Sequence, residues 1–346
     1  MTLVAYEDRP GEFDGIKVLL RSLARHQPDW SAILFLPDGP AELTAWCEAQ
    51  RLRSVRVNTV CRKLGWNSKP ECLLAALQEG HSEVVWLDSD LALAQPIEPL
   101  FKRIPAGTVV ATEEAPWFNE QGTRPRTEGW GLKVGRCLPV TVNSCAMRFD
   151  TSHLSLLHAW NELLQAPSYV AAQREGLDRR PVHMKSDQDV LNALLGSARF
   201  ASTPLTLLRN GIEIAQCFEE DGYRVGARLR HAFRALPPLV HAQGSKPWRD
   251  YGTRFKRIWV QLSPYPWLAQ QVAGDIPEIA AWARVRMPLA RLLNGLTLGE
   301  PSLRGLLPAL VRSSFRILGR SVRGAFRKVR GASNRKAALA EPHLSP

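Results

Sequence analysis

Val84-Val85-Trp86-Leu87-Asp88-Ser89-Asp90 is the stretch that decides the reading of this chain. Apolar residues, mostly β-branched or aromatic, run into a polar stop. That is the pattern of a strand buried on both faces. Asp88 and Asp90 stand one residue apart just past its carboxyl end, where open α/β sheets bind ligands. Carboxylate oxygens are hard ligands suited to magnesium or manganese, and such an ion can bridge a diphosphate. The stretch implies a metal-dependent enzyme acting on a nucleotide-linked substrate.

Upstream, strand-like and helix-like pieces alternate. Thr2-Leu3-Val4-Ala5 opens apolar, and Ile16 to Ala24 has helical spacing at Ile16, Leu19, Leu20 and Leu23. Ala32 to Leu36 reads as a buried strand closed by Pro37-Asp38-Gly39. A helix from about Ala41 to Gln50 leads to Val55-Arg56-Val57. Pro70 starts a helix that runs to Gln78 and feeds the strand ending at Asp88. Repeated strand-helix units predict an α/β fold, a mostly parallel central sheet with helices on both faces.

Downstream, regularity falls. Val109 to Thr112, Val140 to Phe149 and Pro238 to Val240 read as strands. Residues 113 to 137, rich in Gly, Pro, Trp and Arg, read as one long loop of the kind that forms lids or binding surfaces. Thr151 is expected to cap a helix to about Gln165, and Ser186 to begin another that Gly196 ends. Linker signals fall near Ser263-Pro264-Tyr265-Pro266 and near Gly299 to Ser302. The expected organisation is a catalytic domain over 1–262, a helical extension over 263–300 and a basic amphipathic tail over 301–346.

Composition narrows the class. The chain has 346 residues, 45% of them hydrophobic, which is ordinary for a folded protein. No apolar run reaches the roughly eighteen residues that a membrane span needs. Met1 to Gly15 holds Glu7, Asp8, Glu12 and Asp14 and lacks the basic start and apolar centre of a secretory signal. The six cysteines form no C-x-x-C pair. Together these features predict a reduced, cytoplasmic protein. The net charge of +12 suggests a nucleic-acid binder until it is located. Residues 301 to 340 hold ten Lys or Arg and no Asp or Glu, while the rest holds 35 basic against 33 acidic residues.

Four further segments stand beside the acidic pair: Trp66-Asn67-Ser68-Lys69-Pro70, Asn143-Ser144-Cys145, Ser186-Asp187-Gln188-Asp189-Val190-Leu191-Asn192, and His241-Ala242-Gln243-Gly244-Ser245-Lys246-Pro247-Trp248. A bare D-x-D is common by chance. The ordered set D-x-D, N-S-G, D-Q-D-x-x-N and H-x-x-G-x-x-K-P-W resembles the retaining glycosyltransferases of family 8, the glycogenin and lipopolysaccharide galactosyltransferase group. The resemblance covers roughly Thr2 to Trp248 and implies the GT-A fold, a Rossmann-like architecture for transferases of nucleotide-diphospho-sugars. Two departures stand out. The family's N-S-G reads Asn143-Ser144-Cys145, without a glycine-only backbone conformation after Ser144. The last motif is one residue shorter, H-x-x-G-x-K-P-W.

The resemblance implies a role for each position. Asp88, Asp90 and His241 look like ligands of a divalent metal, and an imidazole beside two carboxylates favours manganese over magnesium. Ser89 and Gly244 sit inside the same motifs and are assigned to the nucleotide-sugar. Lys246, with Lys69, would place a point charge on the phosphates. Asp8 is expected at the base. Asn143, Asp187 and Gln188 match positions that meet the donor sugar, with Gln188 beneath the anomeric carbon as weak nucleophile or stabiliser.

Plainer readings exist for each residue. Alone, Asp88 and Asp90 would be loop acids capping a turn, and His241 a surface histidine. Ser186 and Asp189 have capping-box spacing, and acids suit a first helical turn, which accounts for Ser186 and part of Asp187 but not Gln188. Lys69 also fits a solvated residue ahead of a helix. Trp66 and Trp248 read as packing anchors.

In the tail, Arg312, Arg316, Arg320, Arg323, Arg327 and Arg330 share one sector of a helical wheel. Leu307, Leu310, Val311, Ile317, Leu318, Val322, Ala325 and Val329 lie mostly opposite. Lys328 breaks the pattern, and Gly319 and Gly324 each weaken the helix by about 1 kcal/mol. A cationic amphipathic helix with a wide apolar face suits an anionic membrane surface, where each Lys or Arg adds about 1 kcal/mol. Packing on the catalytic body is the alternative. The apolar face argues against nucleic acid.

The sequence therefore predicts a divalent-metal-dependent retaining hexosyltransferase that takes a UDP-sugar and a saccharide or lipid-linked saccharide acceptor. It would be peripheral on the inner face of the plasma membrane through residues 301–340. One rival is a nucleotidyltransferase on a related fold, which would want a glycine-rich basic loop after the first strand; Glu7-Asp8-Arg9-Pro10-Gly11-Glu12 stands there instead. The other rival is a non-catalytic scaffold that binds a nucleotide-sugar at the membrane, compatible with both departures.

Overall fold

The computed structural model describes residues 1–37, 39–49, 55–59, 61–114, 122–217, 225–249 and 263–284, with isolated positions 292, 306, 307, 310, 311 and 314 beyond. The amphipathic helix expected over 301–346 thus lies outside the described residues, those isolated positions apart.

The amino-terminal half forms as the apolar spacing predicts. Strands β1 (Thr2–Tyr6), β2 (Ser31–Phe35), β3 (Val55–Asn58) and β4 (Glu83–Leu87) alternate with helices α1 (Phe13–His26), α2 (Ala41–Ala49) and α3 (Lys69–Gln78). Next come β5 (Leu91–Leu93), α4 (Glu98–Lys102), β6 (Val109–Glu113), α5 (Arg124–Gly129), β7 (Val142–Asp150), α6 (Leu154–Gln165) and α7 (Pro167–Ala172). The chain continues through α8 (Asp187–Gly196), β8 (Leu205–Leu208), β9 (Ile214–Gln216), α9 (Val225–Ala232), β10 (Leu239–His241), α10 (Pro264–Ala273) and α11 (Pro277–Ala283).

The main sheet has seven strands in the order β3-β2-β1-β4-β7-β6-β8. Six run the same way, and β7 alone is antiparallel to both neighbours. Strand side chains alternate faces. Val84 and Trp86 join the core beneath α3, α6 and α8, while Val85 and Leu87 join the core beneath α1. Both faces are covered, which is why these strands read as unbroken apolar runs.

A second sheet, β5-β10-β9, was not foreseen. Its strands have three residues each, too short for a periodic signal. The antiparallel register pairs His241 with Leu91, and the amide of Ala242 donates to the carbonyl of Asp90 at 3.0 Å. That pairing brings the late motif onto the acidic turn. Behind it, Trp248 packs on Tyr265 and Trp282 at centroid distances of 5.8 and 5.5 Å and donates to Glu12 at 3.1 Å. Trp248 is thus a packing anchor, as expected.

Three local readings are corrected. The segment 113–137 is not one loop: it contains α5, with a proline in its first turn. Asp150, not Thr151, caps the chain entering α6, accepting from the amide of Ser152 at 2.9 Å, and a short 3₁₀ turn intervenes. Ser263-Pro264-Tyr265-Pro266 is no linker but the start of α10, with Tyr265 fully buried; proline suits a first helical turn because no partner for its nitrogen is needed there.

Candidate active site

The site is a cleft of about 830 Å³ at the carboxyl ends of the parallel strands. Parity sets its layout. Asp88 follows Trp86 on the α3 side, so it meets Lys69 at the start of that helix, with the ammonium 2.9 Å from its Oδ1. The Trp86 indole also donates to Asp88, at 2.7 Å. The chain then turns, with the amide of Leu91 donating to the carbonyl of Asp88 at 3.0 Å, and Asp90 emerges toward the small sheet. There His241 Nε2 lies 3.2 Å from Asp90 Oδ1, and the Lys246 ammonium donates to Asp90 Oδ2.

One ligand atom each from Asp88, Asp90 and His241 lies within 4.8 Å of the other two. Two hard carboxylates and an imidazole are a donor set for a divalent cation. The residues present fit such an ion. Burial alone would lower the His241 pKa, but Asp90 outweighs it and pushes it up to about 10, with Cys145 acting in the same direction. Burial alone would raise Asp90; Lys246 and His241 instead hold it well below the usual carboxylate range.

The two departures from the motifs are harmless to this geometry. Cys145 sits inside β7, an extended strand that needs no glycine, and its carbonyl accepts from the amide of Asp88 at 2.8 Å. The shortened final motif still delivers Lys246 to Asp90, helped by Gly244 at φ 82°, a left-handed turn that favours glycine.

Lys69 is not a solvated residue ahead of a helix. It is buried and spans Asp88, Asp187 at 3.4 Å, and the hydroxyl of Ser144 at 2.8 Å. Desolvation would lower its pKa, but Asp187 and Asp88 outweigh it and the ammonium stays charged. Ser186 occupies the N-cap of α8, yet its hydroxyl reaches Asp189 Oδ2 at 2.8 Å and makes no bond to the helix backbone. Asp189 also pairs with buried Arg126 at 2.7 Å. Trp66 is 48% exposed and lines the cleft, so it is not a packing anchor. Asp8 lines the cleft; Oδ2 accepts from Tyr6 and from the amide of Gly65, both at 2.9 Å, while buried Oδ1 has no hydrogen-bond partner.

Every residue singled out from the motifs lines this one cleft: Asp8, Lys69, Asp88, Ser89, Asp90, Asn143, Asp187, Gln188, His241, Gly244 and Lys246. Among the carboxylates that line the cleft, Glu7 and Glu114 were missed. Glu7 accepts from Ser89 at 2.6 Å and from Arg9 at 2.7 Å. Glu114, just past β6, accepts from Asn143 and Gln188. The signal for it was present: polar Glu113-Glu114 stops an apolar strand as Asp88 does.

Comparison with known proteins places the fold. No protein-family model matches the chain, and no curated protein matches it. Among solved structures it is similar to the bifunctional glycosyltransferase WbbM, with a TM-score of 0.53 and 14% identity over 82% of this chain and 51% of WbbM. The fold is that of the GT-A glycosyltransferases. The chain spans about half the length of WbbM, and identity at this level speaks to architecture alone. Also similar are the galactosyltransferase LgtC, solved with donor and acceptor sugar analogues, at a TM-score of 0.49 and 14% identity over 79% of this chain and 96% of that one, and GlyE of Streptococcus pneumoniae TIGR4 at 0.45 and 16% over 75% and 58%.

Proposed function

We propose that this chain is a divalent-metal-dependent retaining glycosyltransferase that moves a hexose from a UDP-sugar to a saccharide or lipid-linked saccharide acceptor. The observation that carries the reading is the meeting of Asp88, Asp90 and His241 in one GT-A cleft although two different sheets supply them. These three side chains would hold manganese or magnesium. The bound ion supplies positive charge for a departing diphosphate.

The chain's own groups do the rest. Lys246, already in the cleft on Asp90, places a point charge beside the phosphates. The unpartnered Asp8 Oδ1 is suited to accept from the N–H of a uracil ring. Ser89 and Gly244 shape the turns on either side of the metal ligands. Asp187, held by the Ser144 hydroxyl at 2.7 Å, and Gln188 at the first turn of α8 face the space left for the donor sugar. Retention is assigned to Gln188, which lines the cleft and would act as a weak nucleophile or an oxocarbenium stabiliser. The catalytic body is placed in residues 1–262, followed by a helical extension over 263–300. Residues 301–340 would hold the enzyme on an anionic membrane face, so deletion after Gly299 should release it from anionic vesicles in a sedimentation assay.

The deciding experiment is a screen of UDP-sugars for manganese-dependent hydrolysis and transfer by the full chain. Turnover that disappears with chelator is expected, and full activity in chelator defeats the proposal. Calorimetric binding of a UDP-sugar without turnover under any acceptor would favour a non-catalytic scaffold.

A further inference from the structure

Glu114 lies at the end of β6 with its side chain 1% exposed, and no motif singles it out. Side-chain amides from three different elements converge on its carboxylate. Asn143 Nδ2 of β7 donates to Oε2 at 2.9 Å, Gln188 Nε2 of α8 donates to Oε2 at 2.7 Å, and Gln243 Nε2 after β10 donates to Oε1 at 3.2 Å. Each of the three amides turns its NH₂ toward Glu114, whose oxygens accept. Each amide's carbonyl oxygen is thereby committed to the other side. Asn143 Oδ1 takes the amide of Cys145 at 2.8 Å. Gln243 Oε1 is buried with no hydrogen-bond partner, and both Gln188 and Gln243 line the cleft. A buried carbonyl without a donor is costly unless a ligand supplies one.

We infer that Glu114 is a positioning residue: it fixes the orientation of Asn143, Gln188 and Gln243 so that Gln188 and Gln243 meet the substrate as hydrogen-bond acceptors. The ligand group that fits is a hydroxyl donor, as on a sugar ring. The assignment rests on the transferase reading for its consequence in catalysis, but not for the clamp itself.

The test compares Glu114→Gln with Glu114→Asp in the full chain. Gln matches the shape of Glu but replaces one acceptor oxygen with an NH₂, which opposes Asn143 and Gln188 in one orientation and Gln243 in the other, so the three amides can no longer all be held. Asp is a methylene shorter yet remains acceptor-only. If the residue merely fills space, Gln is the milder change. If it orients amides, Asp is milder, and Glu114→Gln lowers kcat about 100-fold, the loss typical of a reacting group displaced by an ångström, with KM for the UDP-sugar changed far less. The reverse order of the two variants, or a loss confined to KM, overturns the inference. Proton exchange of the side-chain NH₂ groups, followed by NMR in the free protein, judges the clamp without turnover. Slow exchange at Gln188 and Gln243 that becomes fast in Glu114→Gln supports it, and fast exchange in the unmodified chain overturns it. A chain that transfers no sugar defeats the transferase reading alone, and the exchange result then decides the clamp.

Discussion

The two halves of the cleft handle charge differently. On the main-sheet side, Lys69 is locked between Asp88 and Asp187 with the hydroxyl of Ser144 completing its shell, at the first turn of a helix that belongs to the core. On the small-sheet side, Asp90 faces His241 and Lys246, both carried by a short strand and the loop after it. The first arrangement neutralises acids that would otherwise be buried alone. The second gathers the groups that would take a cation and a diphosphate under the proposed function. The lesson is that two lysines beside acids in one cleft differ in what anchors them, Lys69 in two acids and a hydroxyl, Lys246 in Asp90 and the carbonyl of Ala242.

Five substitutions and a pH series can break or sharpen that contrast. The largest effect is expected at Asp90. Asp90→Ala removes a proposed metal ligand and should lower metal-dependent transfer on the order of 10³-fold, in line with the several kcal/mol an ion supplies to a departing charge; it also leaves buried Lys246 and His241 without their anion, so the unfolding midpoint should fall as well. Near-normal transfer in that variant would refute the metal assignment. Next, Lys69→Met leaves Asp88 and Asp187 without their buried cation and should cost about 3–5 kcal/mol in urea unfolding. Lys246→Met leaves Asp90 still paired with His241 and should cost less stability but depress transfer. Equal stability losses would erase the distinction between the two sides.

Gly15 offers a mid-sized probe. A Cβ there would stand 2.7 Å from the carbonyl of Ser89, inside the acidic turn, and 3.0 Å from the Trp248 ring. Gly15→Ala should therefore displace the turn and cost about 1–3 kcal/mol, the range for overpacking, with weaker manganese binding by calorimetry. Unchanged metal affinity would mean that the turn yields without moving Asp88 or Asp90.

The last probe is a pH dependence. Without metal, His241 is raised to about 10 from an ordinary 6.5, chiefly because Asp90 overcomes the opposing effect of burial. Protonated His241 therefore stabilises the fold fully below pH about 6.5, and this contribution fades as pH rises toward 10. Urea unfolding in chelator should show it, and His241→Gln should flatten that part of the profile. Metal affinity should run the other way and rise with pH, because the imidazole must lose its proton to bind. A profile identical in His241→Gln would show that another group is responsible.

Much of this was legible in residues close together in sequence. Apolar runs in β1, β2 and β4 announce a doubly covered parallel sheet, because strands buried on both faces have no polar face to show. The D-x-D turn and the D-Q-D helix start keep their spacing under any fold that contains them. The polar stop after β6 marks the position of Glu114, but its role lies in three partners at separations of 29, 74 and 129 residues, and that convergence no local pattern encodes. The exposure of Trp66 and the burial of Lys69 were hidden for a related reason. Polarity and helix position say little about burial when the covering group comes from Asp187 or Ser144, far along the chain.

Local chemistry was enough to establish the α/β class, the sheet edge that bears the acids and the residue types able to grip a cation. Those properties follow from side-chain periodicity and from ligand hardness, both of which are carried by neighbouring residues. The meeting of His241 with Asp90, the locking of Lys69 and the convergence of three amides on Glu114 came only with the folded molecule. Each depends on which strands pair across long stretches of chain, above all the three-residue antiparallel match of β10 with β5, and that pairing is decided by how the whole core packs.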